Sequence, residues 1–399
     1  MKIAHVITRF VRGGADENTL LSCNAQADAG HEVILIHGRD SAPSLLAQLR
    51  PQIAVIKVES LVREIDLIRD GTALLELRDH IRNARPDIVH THTSKAGILG
   101  RAAAWLAGCK TIVHGVHILP FLNVSRLQGA VYLVLEHAVA PVTSAFVNVS
   151  TGMRDACVAA GLKADRQHVV PSGMDVSRFA TAEPLSDAEL AAALERTEVS
   201  SIELLVMAAA LEPRKRVREF VEVFAQIVAK RPGAVLAVLG EGPERSAIQA
   251  CAERLGLADR VRLLGFQNQP ERWMKRADVC VLSSEREGLP RVIIQYALCS
   301  RPIVTTALPG VNEIVRPDWN GFLVPVDDLS AMAEPITQLL ADRELAARMA
   351  GNAARLDLSA WSVEGMASQL ERIYGDLLRK GENRRPPPAP RDTSLSMRS

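Results

Sequence analysis

A carboxylate beside unpaired backbone amides can bind a ligand that carries hydroxyls and phosphate together, and one stretch of this sequence has both. Ser283-Ser284-Glu285-Arg286-Glu287-Gly288-Leu289-Pro290-Arg291-Val292-Ile293-Ile294-Gln295 follows a short apolar run and leads into an apolar helical pattern. A strand ends there, the loop turns at Gly288 and Pro290, and a helix begins. The helix start contributes free N–H groups and partial positive charge, and Glu287 stands next to them. Phosphate and polyol recognition in one place points to a nucleotide-sugar site, with Glu285 read as an exposed loop charge.

Other residues could share that chemistry. Leu211-Glu212-Pro213-Arg214-Lys215-Arg216 follows another strand pattern; fixed cations there suit a leaving diphosphate, although a solvated basic turn looks the same. His117, in His114-Gly115-Val116-His117-Ile118-Leu119-Pro120-Phe121, stands at the end of a further strand, where it is either a structural hydrogen-bonder or a contact for substrate hydroxyls. His90 and His92 alternate along one strand without a carboxylate cluster, so no metal site is expected. Gly13-Gly14 opens a helix after the first strand, as a ligand approach or as a plain tight turn. Asp16 and Glu17 follow, as acceptor contacts or as acids favouring the helix start. Arg154, in Val149-Ser150-Thr151-Gly152-Met153-Arg154, either lines a cleft or lies on a helix surface.

Taken together, these segments resemble the retaining two-Rossmann-domain (GT-B) glycosyltransferases of family 4, the group 1 glycosyl transferases. The pattern S-x-x-E-G-(F/L)-P is met at Ser284 to Pro290, and the likeness continues through Pro302-Ile303-Val304-Thr305-Thr306, Pro309-Gly310-Val311-Asn312-Glu313-Ile314-Val315 and Asn320-Gly321-Phe322-Leu323-Val324. The resemblance implies a role for each site residue. Glu287, with Gly288, Leu289 and Pro290 around it, would orient the donor sugar; Lys215 would contact the diphosphate; His117 would bind donor or acceptor hydroxyls. Gly13 and Gly14 would lie near the donor phosphate, Gly240 and Gly242 in a turn facing the nucleotide, and Phe266 beside the base. Asp16, His92 and Arg154 would serve the acceptor. Two positions depart from the family: Gln295 replaces the second acidic residue, which grips the ribose, and Ala210 replaces an arginine partner of the lysine, so Arg214 or Arg216 is expected to supply that charge.

The implied reaction moves a hexose or hexosamine from a nucleotide-diphosphate sugar, uridine being the family's commonest base, to a hydroxyl with retention. It needs no cofactor and no metal. The segments 91–101 and 117–121 resemble members that extend lipid-linked or surface-polysaccharide intermediates, so a polyprenyl-linked glycan at the inner face of the membrane is the expected acceptor. A soluble small molecule stays open. The apolar stretch 118–124 and a basic tail suit a peripheral membrane contact, or else are ordinary core and tail. The same fold hosts a nucleotide-sugar epimerase and could host a non-catalytic binding protein.

Composition agrees with two domains in a reducing compartment. The chain has 399 residues, a formal net charge of +1, 4% aromatic residues and six cysteines without a C-x-x-C pair. Nucleic acid is not expected as a partner, and a cytoplasmic location is. The tract 129–147 contains Glu136 and His137, which argues against a membrane span. Strand patterns at 3–7, 32–36, 53–58, 87–91, 111–116 and 145–149 alternate with helices, and a second series starts at 204–209, 234–239, 261–264, 279–282 and 303–305. The expected organisation is an α/β GT-B fold of two Rossmann-like domains facing a central cleft: 1–172 for the acceptor, a hinge at 173–200, 201–360 for the nucleotide sugar, a helix at 361–380 crossing back to the first domain, and a disordered tail at 381–399.

Overall fold

The computed structural model describes residues 1–382 except 12, 120 and 122–124; the expected tail from 383 onward, and part of the apolar stretch 118–124, lie outside the described residues. The first sheet has seven parallel strands: β1 (Lys2–Ile7), β2 (Glu32–Gly38), β3 (Ala54–Val58), β4 (Ile88–His92), β5 (Thr111–Val116), β6 (Ala145–Asn148) and β7 (Gln167–Val169), in the order β3-β2-β1-β4-β5-β6-β7. The second has six: β8 (Glu203–Ala208), β9 (Ala234–Leu239), β10 (Val261–Leu263), β11 (Val279–Leu282), β12 (Ile303–Thr306) and β13 (Gly321–Val324), in the order β10-β9-β8-β11-β12-β13. Each order reverses once, between β1 and β4 and between β8 and β11. Crossovers leave in opposite directions at such a point, which opens a crevice at the strand carboxyl ends.

Most of these strands are apolar because parallel sheets are covered on both faces. In the first sheet Ala4, Val6, Ile34, Ile36, Val89 and Ile112 pack under the helices Leu67–Ala84 and Ser94–Leu106. The opposite face lies under the helix Gly14–Asp28 and the long helix Val363–Glu382, which meets Ile3, Ile88, Val113 and Val147 through Met366, Leu370, Ile373 and Tyr374. The histidines of β1 and β4 point to this second face.

Two features differ from the sequence reading. β7 and β13 are absent from it: each is short and at a sheet edge, so too few residues alternate to register a period. The segment 173–200 is not a free polar linker, because its helices Val176–Ala180 and Asp187–Leu194 dock on the second domain through Phe179, Leu190 and Leu194. The tract 129–147 is the expected helix and strand, and Glu136 interrupts it because it pairs with Arg101. The two carboxylate oxygens lie 2.6 and 2.8 Å from the guanidinium nitrogens, and Arg101 has no exposed surface.

Breaking that pair from one side leaves a buried charge. Glu136→Ala is expected to cost about 3–5 kcal/mol in urea unfolding, and the double change Arg101→Met with Glu136→Leu to recover most of it.

Candidate active site

At the β8/β11 switch point two loops are stapled together. Ser283 donates its hydroxyl to the Lys215 carbonyl at 2.7 Å, the Glu285 N–H reaches the Arg214 carbonyl at 2.8 Å, and Thr306 holds the Ser284 carbonyl at 2.6 Å. This sets Glu287 between two cations. Lys215 Nζ bonds one carboxylate oxygen and Arg214 Nη1 reaches the other at 3.0 Å, while Ser284 Oγ adds a contact at 3.2 Å. Of the two arginines expected to replace the charge missing at Ala210, Arg214 is the one in the cluster. Arg216 is in the left-handed region, φ 53°, and sends its guanidinium to the Val326 carbonyl. The helices that follow these loops, Val217–Lys230 and Arg291–Leu298, start with no side-chain cap, as does Gly14–Asp28. Their first-turn N–H groups remain available to an anion.

The other expected donor residues surround this cluster. Leu289 and Pro290 are buried at the start of the helix Arg291–Leu298, and Gln295 is half-buried on it. A Cβ at Gly240 would lie 2.0 Å from the Ala209 carbonyl, and one at Gly242 would lie 2.5 Å from that of Leu211, so both glycines let this turn pack against the lysine loop. Phe266 is 52% exposed beside it, its N–H facing Glu241.

Across the gap, one sheet face carries a row of imidazoles. His117 Nε2 lies 3.1 Å from His92 Nδ1, His92 Nε2 lies 2.9 Å from His5 Nδ1, and His5 Nε2 lies 2.7 Å from Gln26 Oε1. His90 meets the Tyr374 hydroxyl at 2.6 Å. Gly115 gives them room, since a Cβ there would come within 3.0–3.2 Å of His92, His90 and His117. Burial pushes His5 and His117 down to about 4, with Arg291 adding to the effect at His117, and burial holds His90 and His92 well below the usual range. All four are therefore neutral at physiological pH. His5, His90 and His92 offer nitrogens within 4.8 Å of one another, a spacing a metal could use, but His5 and His92 spend theirs on each other, His117 and Gln26.

Two expected acceptor contacts move. His92 is 1% exposed beneath His117 and can act only through it. Arg154 lies on the outer side of the helix Thr151–Ala159, paired with Asp155 at 2.7 Å, because Met153 takes the inward position. Asp16 does sit at the Gly-Gly loop, buried against Gly13, and burial drives its carboxyl up to about 7 against the pull of Arg9.

The two halves touch at glycines. A Cβ at Gly288 would lie 2.4 Å from the His117 carbonyl and 2.8 Å from Met153 Sδ; one at Gly152 would lie 2.7 Å from the Gly310 nitrogen. Glu313 accepts from the Thr151 N–H at 2.8 Å. Arg291, which the sequence reading passed over, bridges the seam. Its guanidinium donates to the Gly173 carbonyl at 2.9 Å and pairs with Glu17 at 3.3 Å, and Gly14 packs against its side chain. A cation in a helix first turn opposes the helix dipole, and that local conflict was the available signal.

Residues 196–356 match the family described as glycosyl transferases group 1, and residues 13–173 match the glycosyl transferase 4-like domain. The chain is 28% identical over 385 residues to the UDP-Gal:alpha-D-GlcNAc-diphosphoundecaprenol alpha-1,3-galactosyltransferase of Escherichia coli, covering 95% of this chain and 97% of that one. It is also 28% identical over 397 residues to a D-inositol 3-phosphate glycosyltransferase of Xylanimonas cellulosilytica, covering 92% and 93%. Its fold matches that of Anabaena HepE in complex with UDP-glucose, with a TM-score of 0.79 at 21% identity over 94% of this chain and 100% of that one. With both family domains in order and the parallel sheets facing one cleft, the chain belongs to the group 1 glycosyltransferases of GT-B fold.

Proposed function

We propose that this enzyme transfers a hexose or hexosamine from a UDP-sugar, with retention of configuration, to a hydroxyl of a lipid-linked or surface-polysaccharide intermediate. The observation that carries the reading is Glu287 held between Lys215 and Arg214 at a switch point, with the adjoining Gly288 against His117. A donor sugar's hydroxyls suit the carboxylate, and its diphosphate suits the two cations and the uncapped helix start at Arg291. Lys215, Arg214, which Glu212 also pairs at 2.8 Å, and the helix start stand where charge builds on the leaving group, which suits a metal-free reaction with the departing phosphate assisting deprotonation of the acceptor. His117, neutral, and Asp16 are placed to meet hydroxyls from the other side. The donor base and the acceptor class draw support from the Escherichia coli relative, whose name gives UDP-Gal and a diphosphoundecaprenol-linked sugar, and from HepE, crystallised with UDP-glucose.

A lipid-bearing acceptor also has a surface to approach. The helix Arg126–Val139 buries its Glu136 and exposes Leu127, Val131 and Val134, and Ile65, Leu67 and Ile68 are exposed on the same domain. No described helix is long and apolar enough to cross a membrane. These residues suit a peripheral contact.

Lys215→Met is expected to lower the transfer rate from a UDP-sugar by about 10²–10³-fold while unfolding near the wild-type temperature. A wild-type rate would remove Lys215 from the reaction, and epimer formation without acceptor would replace transfer by isomerisation. Leu127→Glu with Val134→Glu should reduce co-sedimentation with anionic lipid vesicles by about tenfold or more, with activity on a water-soluble acceptor unchanged. Asp16 gives a pH signature. Its folded pKa, about 7, lies above its ordinary value, so the folded state binds the extra proton and this contribution to stability is lost as pH rises from about 4 through 7. Compared with Asp16→Asn, the wild-type protein should therefore lose unfolding temperature across that window; parallel curves would refute the shift.

A further inference from the structure

A neutral imidazole has one N–H and one lone pair, so in a chain of imidazoles the orientation chosen at one end is passed to the other. The chain here ends at Gln26. Its Oε1 faces His5 Nε2 at 2.7 Å, so His5 carries its proton on Nε2 and accepts at Nδ1. His92 then donates from Nε2 to His5 across 2.9 Å and accepts at Nδ1, and His117 donates from Nε2 to His92 across 3.1 Å. His117 is left with a bare Nδ1. Were the Gln26 amide turned over, every step would reverse and His117 would carry its proton on Nδ1.

The amide oxygen, placed on His5 Nε2, selects the first of the two. Tyr374 meets the neighbouring His90 Nδ1 at 2.6 Å. Tyr374 lies on the helix Val363–Glu382, which belongs to the far end of the chain yet is built into the first domain. None of these groups apart from His117 reaches the cleft.

We propose that Gln26 is a positioning residue that sets His117 in the Nε2–H tautomer, so that its Nδ1 accepts a hydrogen bond from a substrate hydroxyl. This rests on the functional reading of His117 given above. The reaction itself needs no proton to travel along the chain; the device holds one donor–acceptor polarity. A hydroxyl that donates to Nδ1 keeps its oxygen lone pairs free, whereas an Nδ1–H would occupy one of them.

Nitrogen-15 histidine NMR of the full chain reads the tautomer directly. Wild-type His117 is expected in the Nε2–H form. Gln26→Leu removes the fixed end, and should mix the two forms and lower kcat by about 10- to 100-fold with the donor KM little changed. Gln26→Glu, an acceptor only, should keep the tautomer and most of the rate, which separates polarity from simple loss of packing. An Nδ1–H His117 in the wild type, or a Gln26→Leu protein with unchanged tautomer and kcat, overturns the proposal. If the tautomer follows Gln26 while His117→Ala retains transfer, the functional reading of His117 fails and takes the catalytic consequence with it.

Discussion

Everything at this cleft depends on where two parallel sheets reverse their strand order. A parallel sheet can be covered on both faces only by right-handed crossovers, and at the reversal neighbouring crossovers depart to opposite sides. The ends of β1 and β4 and the ends of β8 and β11 are therefore left without a covering loop. Chemistry-bearing residues collect there because it is the one edge where a side chain can leave the core without unpairing a strand. His5, His92, Lys215 and Glu287 belong to these four strands or to the loops that follow them.

The two halves solve opposite electrostatic problems. The second domain concentrates ions, with one carboxylate shared by two cations in a partly buried site. On the cleft side of the first domain, burial holds four imidazoles neutral and drives the Asp16 carboxyl up to about 7. A polar ligand with an anionic end and a hydroxyl-rich end would meet charge on one side and neutral hydrogen-bonding groups on the other. Arg291 is the exception, a cation of the second domain that reaches the first domain's glycine loop at Gly14 and Glu17.

The sequence made the fold and the turn at Glu287 legible because both are local. Strand periods, the Gly288–Pro290 turn and the basic run after β8 occupy contiguous residues. Arg214 and Arg216 could not be told apart, since their separation depends on a left-handed backbone at Arg216 that no spacing reveals. His92 and Arg154 were misplaced for a similar reason: which side of an element a residue faces depends on packing from distant segments. The imidazole row joins β1, β4 and β5 to a helix from the other end of the chain, and Gly115 reads as an ordinary strand residue until its neighbours are known.

The long terminal helix has a consequence for how the protein is made. Met366, Leu370, Ile373 and Tyr374 cover Ile3, Ile88, Val113 and Val147, so part of one side of the first sheet lacks its lid until the second domain has been synthesised. A ribosome adding about 5–20 residues per second leaves that apolar surface uncovered for tens of seconds. The first domain cannot finish folding before the second has been translated, and residues made after the second domain close the earliest core.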